Sequence, residues 1–295
     1  GIAAATLMSI FIGLQFYFIK SLMNIFENRV FSFLALRFLL AAVILLPVCA
    51  VKKISLKKFL NLKLMLLSLL LPFLNLTFQT FGVKLSSVTS VGYISSLGPV
   101  ITLAVSAVVL KTKPTARQIF AITAAFAGAA LIYFGKNAEV RLDMGALLIF
   151  AALLFRSLYA ALSRTTAKSC TPLELTAVQI FWGLVFFAAA FVWENRGLSL
   201  SNMAALIKPM GAKGWINLLY VSLISLDAVY LLNNYSLSEI SVAASGVMSN
   251  LTFVVTLLSG VFLLSEKINA WAIVGSALIA FGVIFMNLGQ KENNG

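Results

Sequence analysis

The sequence predicts an all-α membrane protein with ten transmembrane helices, arranged as two inverted repeats of five helices each. Apolar residues make up 61% of the 295 residues and charged residues only 11%, which excludes an ordinary soluble domain. Ten apolar runs each reach roughly the 17–25 residues that cross a bilayer as a helix. The chain also aligns with itself, and a duplicated membrane unit is typical of transporters.

The internal repeat is clearest between residues 87–135 and 241–289, which align without a gap at an offset of 154 (241 − 87). Apolar composition alone does not produce small residues at one fixed spacing. The matching positions are Gly92 and Gly246, Ser95 and Ser249, Gly128 and Gly282, and Gly135 and Gly289. Because five helices per repeat is an odd number, the two repeats enter the membrane in opposite directions. We place them at residues 1–136 and 143–290.

The five predicted spans of the first repeat are separated by short loops that carry most of its lysines. In chain order they are Ile2–Ile19, Phe31–Val51, Leu62–Phe81, Ser87–Leu110 and Ala116–Phe134. The lysine-rich stretch 55–63 predicts either an amphipathic turn at the membrane surface or a long cytoplasmic entry to the third span.

The second repeat has the same organisation, with one longer loop. Its spans are Met144–Leu162, Pro172–Val192, Trp215–Tyr235, Val242–Leu264 and Ala270–Leu288. The loop 198–214 contains an apolar stretch that predicts either a short helix on the membrane surface or a plain connector.

The net charge of +13 comes mostly from loop lysines, so the expected partner is the lipid bilayer and not nucleic acid. Five lysines lie at residues 52–63, in the loop after the second span and at the start of the third, and basic loops stay on the cytoplasmic side. We therefore expect a multi-pass protein of the cell inner (plasma) membrane with both termini in the cytoplasm.

The chemistry of the chain argues against an enzyme. It has no histidine, which excludes histidine-based acid–base catalysis and histidine metal sites. The two cysteines, Cys49 and Cys170, cannot form a structural zinc site alone. No glycine-rich loop of the kind that binds nucleotide phosphates is present. We expect no catalytic residues, no metal and no cofactor.

Two segments resemble one membrane protein family. Residues 85–100, LSSVTSVGYISSLGPV, look like the fourth-helix signature of the EamA family in the drug/metabolite transporter superfamily, and residues 239–256 resemble its second copy. Residues 11–20 and 36–41 resemble its first two helices. Thr112 departs from the pattern, since the family often has the acid there that Glu266 supplies in the second repeat. The resemblance implies a ten-helix carrier of small metabolites, often amino acids and frequently outward. It does not identify the solute.

Three charged residues lie well within predicted spans: Arg37, Arg156 and Asp227. Ionisable groups at such depth are costly and usually face the bundle interior or a water-filled cavity. Arg156 and Asp227 each lie about twelve residues into helices of the same direction, roughly 18 Å from the outer surface, so the two could meet. Such a pair would be either a structural ion pair or a site that opens to bind a charged solute.

Polar side chains on neighbouring spans indicate a common site near mid-depth. Asn75 and Gln79 share one helix face, as do Asp227, Tyr230 and Asn234. The alternative for the serine- and glycine-rich faces is helix packing. The full set of candidate substrate-binding residues is Arg156, Asp227, Tyr93, Ser96, Asn75, Gln79, Tyr159, Tyr230, Asn234, Ser249 and Asn250.

Two prolines predict a gate in the first repeat. Pro72 and Pro99 lie at mid-depth, where proline leaves a carbonyl unpaired and permits a bend. Their counterparts in the second repeat are Leu226 and Phe253, so the halves have diverged. The first half is therefore predicted to be the moving gate.

These features predict a transporter that works by alternating access around one central site, with a small-molecule solute and a possible coupling proton or ion as its partners. Two arginines against one aspartate favour a solute with a carboxylate, such as an amino acid, and the resemblance favours export. An exporter of organic cations or drugs, and an uptake carrier of the same fold, remain alternatives. A non-transporting scaffold is the weakest reading. The oligomeric state is not determined by the sequence.

Overall fold

The computed structural model describes eleven stretches of the chain together with five isolated positions. These are residues 1–26, 29–85, 95, 97–111, 113, 115–134, 144–166, 170–196, 210–248, 251–252, 255, 271, 273–275, 277–278, 281–282 and 285. Within these residues the ordered structure is helical and contains no strand.

The first half contributes five long helices and one short helix in a loop. They are α1 (Ile2–Ile25), α2 (Val30–Val51), α3 (Leu62–Leu85), α4 (Gly98–Leu110) and α5 (Ala116–Phe134). The short helix Leu56–Phe59, which we name the loop helix, lies between α2 and α3. It matches the amphipathic turn, one of the two structures that the sequence predicts there.

The second half repeats this order. Its helices are α6 (Met144–Thr166), α7 (Pro172–Glu194), α8 (Ala212–Glu239) and α9 (Val242–Met248), and the described residues between 271 and 285 are also helical. Five helices of the described chain are long and apolar enough to cross a membrane: α2, α3, α7, α8 and residues 147–164 of α6. The predicted surface helix in the loop 198–214 lies almost wholly outside the described residues.

The helix starts follow ordinary capping chemistry. Thr171 accepts the backbone N–H of Glu174, whose carboxylate accepts the N–H of Thr171 in return, and Pro172 occupies the first turn of α7. Asn61 caps α3 by accepting the N–H groups of Lys63 and Leu64. These caps start α3 and α7 at one end of the bundle, which also holds the loop helix and the end of α8. We name it the loop-helix end.

The helices pack in pairs across the two halves. α2 lies along α7, α3 along α6, and α1 along α8. Gly183 of α7 permits the closest approach, because a Cβ there would lie 2.3 Å from the Phe38 ring and 2.8 Å from Pro72. Gly282 lies against the carbonyl of Ala121 on α5 in the same way, as expected for helices that serve packing.

Two spanning helices contain π-helical segments at matching positions. In α3 the segment is Leu69–Leu74, and in α8 it is Tyr220–Ala228. The repeat offset of 154 carries Leu69 onto Leu223 and Leu74 onto Ala228, so the first segment falls within the second and both end at matching positions. Pro72 explains the first, together with the extended backbone of Leu71 (φ −135°, ψ 111°). The second contains no proline, and nothing in the sequence predicted it.

Candidate functional site

A central cavity lies where α1, α2, α3, α6 and α8 meet. The empty volume between these helices is about 440 Å³, including the space at its open side. Its polar wall is formed by two arginines, four amides, one hydroxyl and one phenol: Arg37, Arg156, Gln15, Asn75, Gln79, Asn233, Ser225 and Tyr230. The remaining lining is aliphatic. No acidic side chain of the described residues lines this space.

Arg37 is held in the wall by neutral groups only. It is 1% exposed, and its Nε donates to the carbonyl of Val221 at 2.8 Å. Its Nη2 donates to the hydroxyl of Ser225 at 3.0 Å and to Gln15 Oε1 at 3.3 Å. These contacts fix the guanidinium without neutralising it. Arg37 therefore brings an uncompensated positive charge to the cavity wall.

Arg156 is the second cation of the central cavity. Within the described part of the chain it makes no hydrogen bond and no salt bridge, and it lies within electrostatic range of Tyr230. The hydroxyl of Tyr230 is buried and also has no hydrogen-bond partner. Both groups are thus available to a bound molecule.

A second cavity of about 350 Å³ lies nearer the loop-helix end. Arg156 and Asn233 line both cavities, so they stand at the boundary between them. The second cavity is completed by Thr102, Tyr159, Ala160, Leu237, Val242 and Ser245. The two spaces form successive chambers on one side of the bundle, with Arg156 between them.

The predicted meeting of Arg156 and Asp227 is wrong. No salt bridge joins them, Asp227 lines neither cavity, and its two carboxylate oxygens are buried without a hydrogen-bond partner. Residue counts along a helix give depth in the membrane, and they do not give the direction of a side chain. The π segment that contains Asp227 changes that direction, since its hydrogen bonds span five residues instead of four.

Tyr159 and Asn234 belong to a connected hydrogen-bond network. The Tyr159 hydroxyl donates to Asn234 Oδ1, and Asn234 Nδ2 donates to Gln179 Oε1 at 2.7 Å. Gln179 Nε2 then donates to the carbonyl of Leu71 at 3.1 Å. The network connects the second cavity, which Tyr159 lines, to the break in α3. Asn234 is saturated by protein partners.

The other described candidates lie in the wall of the central cavity. Asn75, Gln79 and Tyr230 all line it. Asn75 Nδ2 donates to the carbonyl of Ala152 at 2.9 Å, which orients the amide and ties α3 to α6. Tyr93, Ser96, Ser249 and Asn250 lie outside the described residues.

The two candidate gating prolines differ in their surroundings. Pro72 lies inside the π segment of α3, at the helix break that the sequence predicts. Pro99 lies in the first turn of α4 as the structure describes that helix, where the missing N–H has no partner to lose. A break inside a spanning helix is thus described at Pro72, whereas Pro99 lies at a helix start.

Four polar residues of this region were not among the candidates: Gln15, Gln179, Ser225 and Asn233. The sequence-based candidates were charged residues and polar faces at α-helical spacing. These four residues are instead single amides or hydroxyls on otherwise apolar faces. An isolated amide at mid-depth, such as Gln15 or Gln179, was the available signal.

Polar contacts close α7 against the first half at both of its ends. At the loop-helix end, Lys58 Nζ lies 3.5 Å from Glu174 Oε2, and Trp182 Nε1 donates to the carbonyl of Phe59 at 2.8 Å. Burial lowers the pKa of Lys58, but hydrogen bonds and charge from Cys170 and Glu174 outweigh it and raise the pKa above its ordinary value.

At the opposite end, the Glu194 carboxylate accepts the N–H groups of Phe31 and Ser32 at the start of α2. It thereby satisfies donors that the helix itself leaves free. Asn195 adds a bond to the Ser32 hydroxyl at 2.9 Å. The described residues contain no group of three or more His, Cys, Asp or Glu that could hold a metal ion.

Comparisons with known proteins agree on one family. The profile of the EamA-like transporter family matches residues 1–134 and 143–288. The uncharacterized transporter YcxC of Bacillus subtilis is 29% identical over 98% of this chain and 93% of its own length. The uncharacterized transporter YyaM of the same organism is 27% identical over 94% of this chain and 90% of its own.

A solved crystal structure supports the fold at low sequence identity. It superposes with a TM-score of 0.77 at 15% identity and covers 99% of both chains. Together with the duplicated helical architecture, the family match confirms the predicted all-α, ten-helix membrane fold. The chain belongs to the EamA-like transporter family.

Proposed function

We propose that this transporter carries small organic solutes with a carboxylate group, amino acids foremost, by alternating access around the central cavity. The observation that carries the proposal is the charge of the cavity wall. Two guanidinium groups line it, and no described acid does. Desolvated cations without protein counter-ions favour a bound anion strongly.

The polar groups around the arginines fit the rest of such a solute. Arg156 donates no hydrogen bond to the described residues, and a guanidinium binds a carboxylate through two parallel hydrogen bonds. The unpartnered hydroxyl of Tyr230 and the amides of Gln79 and Asn233 supply neutral donors and acceptors for an amino or hydroxyl group. The aliphatic part of the wall accommodates an apolar side chain.

The same wall disfavours the organic-cation alternative. A cationic drug would have to enter a space with two like charges, and Asp227, the deep acid that could attract it, does not line that space. We propose export as the net direction because of the family resemblance. We place the loop-helix end in the cytoplasm because the lysine cluster 52–63 lies there.

Counterflow in proteoliposomes tests the solute class. Each standard amino acid is compared with the amine formed by its decarboxylation, which keeps the side chain and loses the carboxylate. We expect counterflow of one or more amino acids and none of the matching amines. Transport of the amines with no transport of the acids would replace the proposal with the organic-cation function.

A further inference from the structure

Asp227 is a deeply placed acid that the solute site does not use. Both of its carboxylate oxygens are buried, neither has a hydrogen-bond partner among the described residues, and the side chain lines neither cavity. Of the other acids in the described chain, Glu239 is exposed, and the remaining two have protein partners. Glu174 pairs with Lys58 and caps α7, and Glu194 accepts the N–H groups at the start of α2.

An ionised carboxylate cannot stay in such surroundings without a counter-ion. Burial removes its hydration, and no cation or donor replaces the lost water. A neutral carboxylic acid bears the same burial at far smaller cost. Asp227 therefore holds a proton in the conformation that the structure describes.

The neighbouring helices supply no substitute for that proton among the described residues. From α2, the Cys49 thiol lies within electrostatic range of Asp227, and Arg37 binds Val221 and Ser225 instead of the carboxylate. From α1, the nearby polar group is the neutral Gln15, which contacts Ser225. From α6, Arg156 forms no ion pair with it, and α7 faces α8 with the neutral amide of Gln179.

The backbone around Asp227 is able to change its direction. Asp227 lies in the π segment Tyr220–Ala228, where one extra residue is accommodated in the helical turn. Conversion of such a turn to α-helix rotates the side chains that follow by about 100°. The hydroxyl of Ser222 in the same segment is also buried without a hydrogen-bond partner among the described residues, so it loses no such bond when the segment rearranges.

We propose that Asp227 is the proton-binding site that couples transport to a proton gradient. The inference rests on the transport function proposed above. When the π segment rearranges, the carboxyl O–H bond breaks, its electron pair stays on the carboxylate, and the proton passes to water in the opened cavity. The carboxylate takes up a proton from water before the segment returns to the conformation described here.

The direct test needs no solute. Infrared difference spectra of the protein in lipid nanodiscs are recorded between acidic and alkaline pH, with the proton as the probe. In wild type we expect a C=O stretching band from a protonated carboxyl group, and this band should disappear as the pH rises. The band should be absent in both Asp227→Asn and Asp227→Leu. Glu194→Gln is the matched control, since its carboxylate is satisfied by N–H donors, and the band is expected to persist there.

Three results would overturn the proposal. The band could be unchanged in both Asp227 variants, it could fail to titrate in wild type, or it could respond to sodium at fixed pH, which would indicate a metal cation site. Thermal unfolding in detergent identifies a variant that has simply failed to fold, and the second variant then decides.

A transport measurement separates this inference from the solute assignment. Proteoliposomes with a pH gradient are tested with the amino acids that give counterflow. Asp227→Asn is expected to keep counterflow and to lose the acceleration by the gradient. Gradient-driven uptake in Asp227→Asn equal to wild type refutes proton coupling at Asp227 while the solute class stands. Absence of amino acid counterflow in wild type refutes the solute class, and the infrared result is then judged alone.

Discussion

Substitution of Arg156 by glutamine is expected to weaken solute binding without a loss of stability. Glutamine has a similar length and stays polar, but it lacks the charge and the paired donors of the guanidinium. A hydrogen bond to a charged group contributes about 1.5–3 kcal/mol. Since 1.4 kcal/mol corresponds to a tenfold change, affinity for a carboxylate solute is expected to fall about 10- to 150-fold.

The stability half of this prediction follows from the contacts of Arg156. Because the side chain has no hydrogen bond or ion pair to the described protein, its removal leaves no group without a partner. Asp227 is unpaired with or without it. A buried guanidinium is also costly to desolvate, so the midpoint of thermal unfolding is expected to stay constant or to rise slightly.

Arg164 on the same helix provides a matched control. Its Nη1 donates to the carbonyls of Leu237 and Ile240 at the end of α8, and Arg164 lines neither cavity. Arg164→Gln removes these bonds, so we expect about 1–3 kcal/mol of lost stability with unchanged solute affinity.

The assay measures solute affinity by counterflow and the unfolding midpoint in detergent for both variants. An unchanged affinity in Arg156→Gln would refute the role of Arg156 in binding. A loss of stability as large as that of Arg164→Gln would show that Arg156 has a structural partner, contrary to the geometry described here.

Three further variants test the packing, the network and the orientation. Gly183→Ala places a Cβ 2.3 Å from the Phe38 ring, and we expect about 1–3 kcal/mol of lost stability, measured by thermal unfolding; an unchanged midpoint would contradict the packing. Gln179→Leu leaves the carbonyl of Leu71 without its donor. We expect slower solute exchange at nearly unchanged solute affinity, and an altered affinity alone would contradict a role of Gln179 at the break in α3. A cysteine introduced at the exposed Lys57 in a background without native cysteines is expected to react with impermeant reagents only from the cytoplasmic side, and labelling from outside would invert the topology.

Much of the fold could be predicted because burial in a bilayer leaves a strong signal. The predicted span Ala116–Phe134 agrees with α5 at both ends, and the span predicted from Pro172 begins where α7 does. The ends of other helices were predicted less accurately from the loop residues. α1 continues to Ile25, past the Lys20 where its apolar run ends, because a basic residue interrupts hydropathy without breaking a helix.

The sequence predicts how far along its helix each candidate residue lies. It does not predict the direction in which the side chain points. Arg156, Asn75 and Gln79 reach the cavity as expected, since polar groups at mid-depth turn away from lipid. Asp227 was assigned to the same site on equal grounds and does not line it, because its direction depends on the π segment. Nothing in an apolar run without proline distinguishes a π turn from an α turn, so this part required the structure.

The two π segments are also held by reciprocal hydrogen bonds between the repeats. Arg37 is the eighth residue of α2, and Gln179 is the eighth residue of α7. Arg37 Nη2 donates to the carbonyl of Ser225 at 3.5 Å, and Gln179 Nε2 donates to the carbonyl of Leu71, which is offset from Ser225 by 154 residues. In each repeat, the eighth residue of the second helix therefore donates to a carbonyl in the π segment of the other repeat's third helix.

These reciprocal contacts differ between the repeats, and the difference concerns which helix moves during transport. In α3 a proline fixes the break by covalent structure, and a neutral amide holds it. In α8 no proline is present, and the break is held by Arg37, whose charge also faces the solute cavity. If the proposed solute carboxylate binds this guanidinium, it would weaken the bonds of Arg37 to Val221 and Ser225, and occupancy of the site would act on α8 directly. The sequence placed the gate in the first half because prolines permit bending, but the contacts favour α8 as the helix that responds to solute.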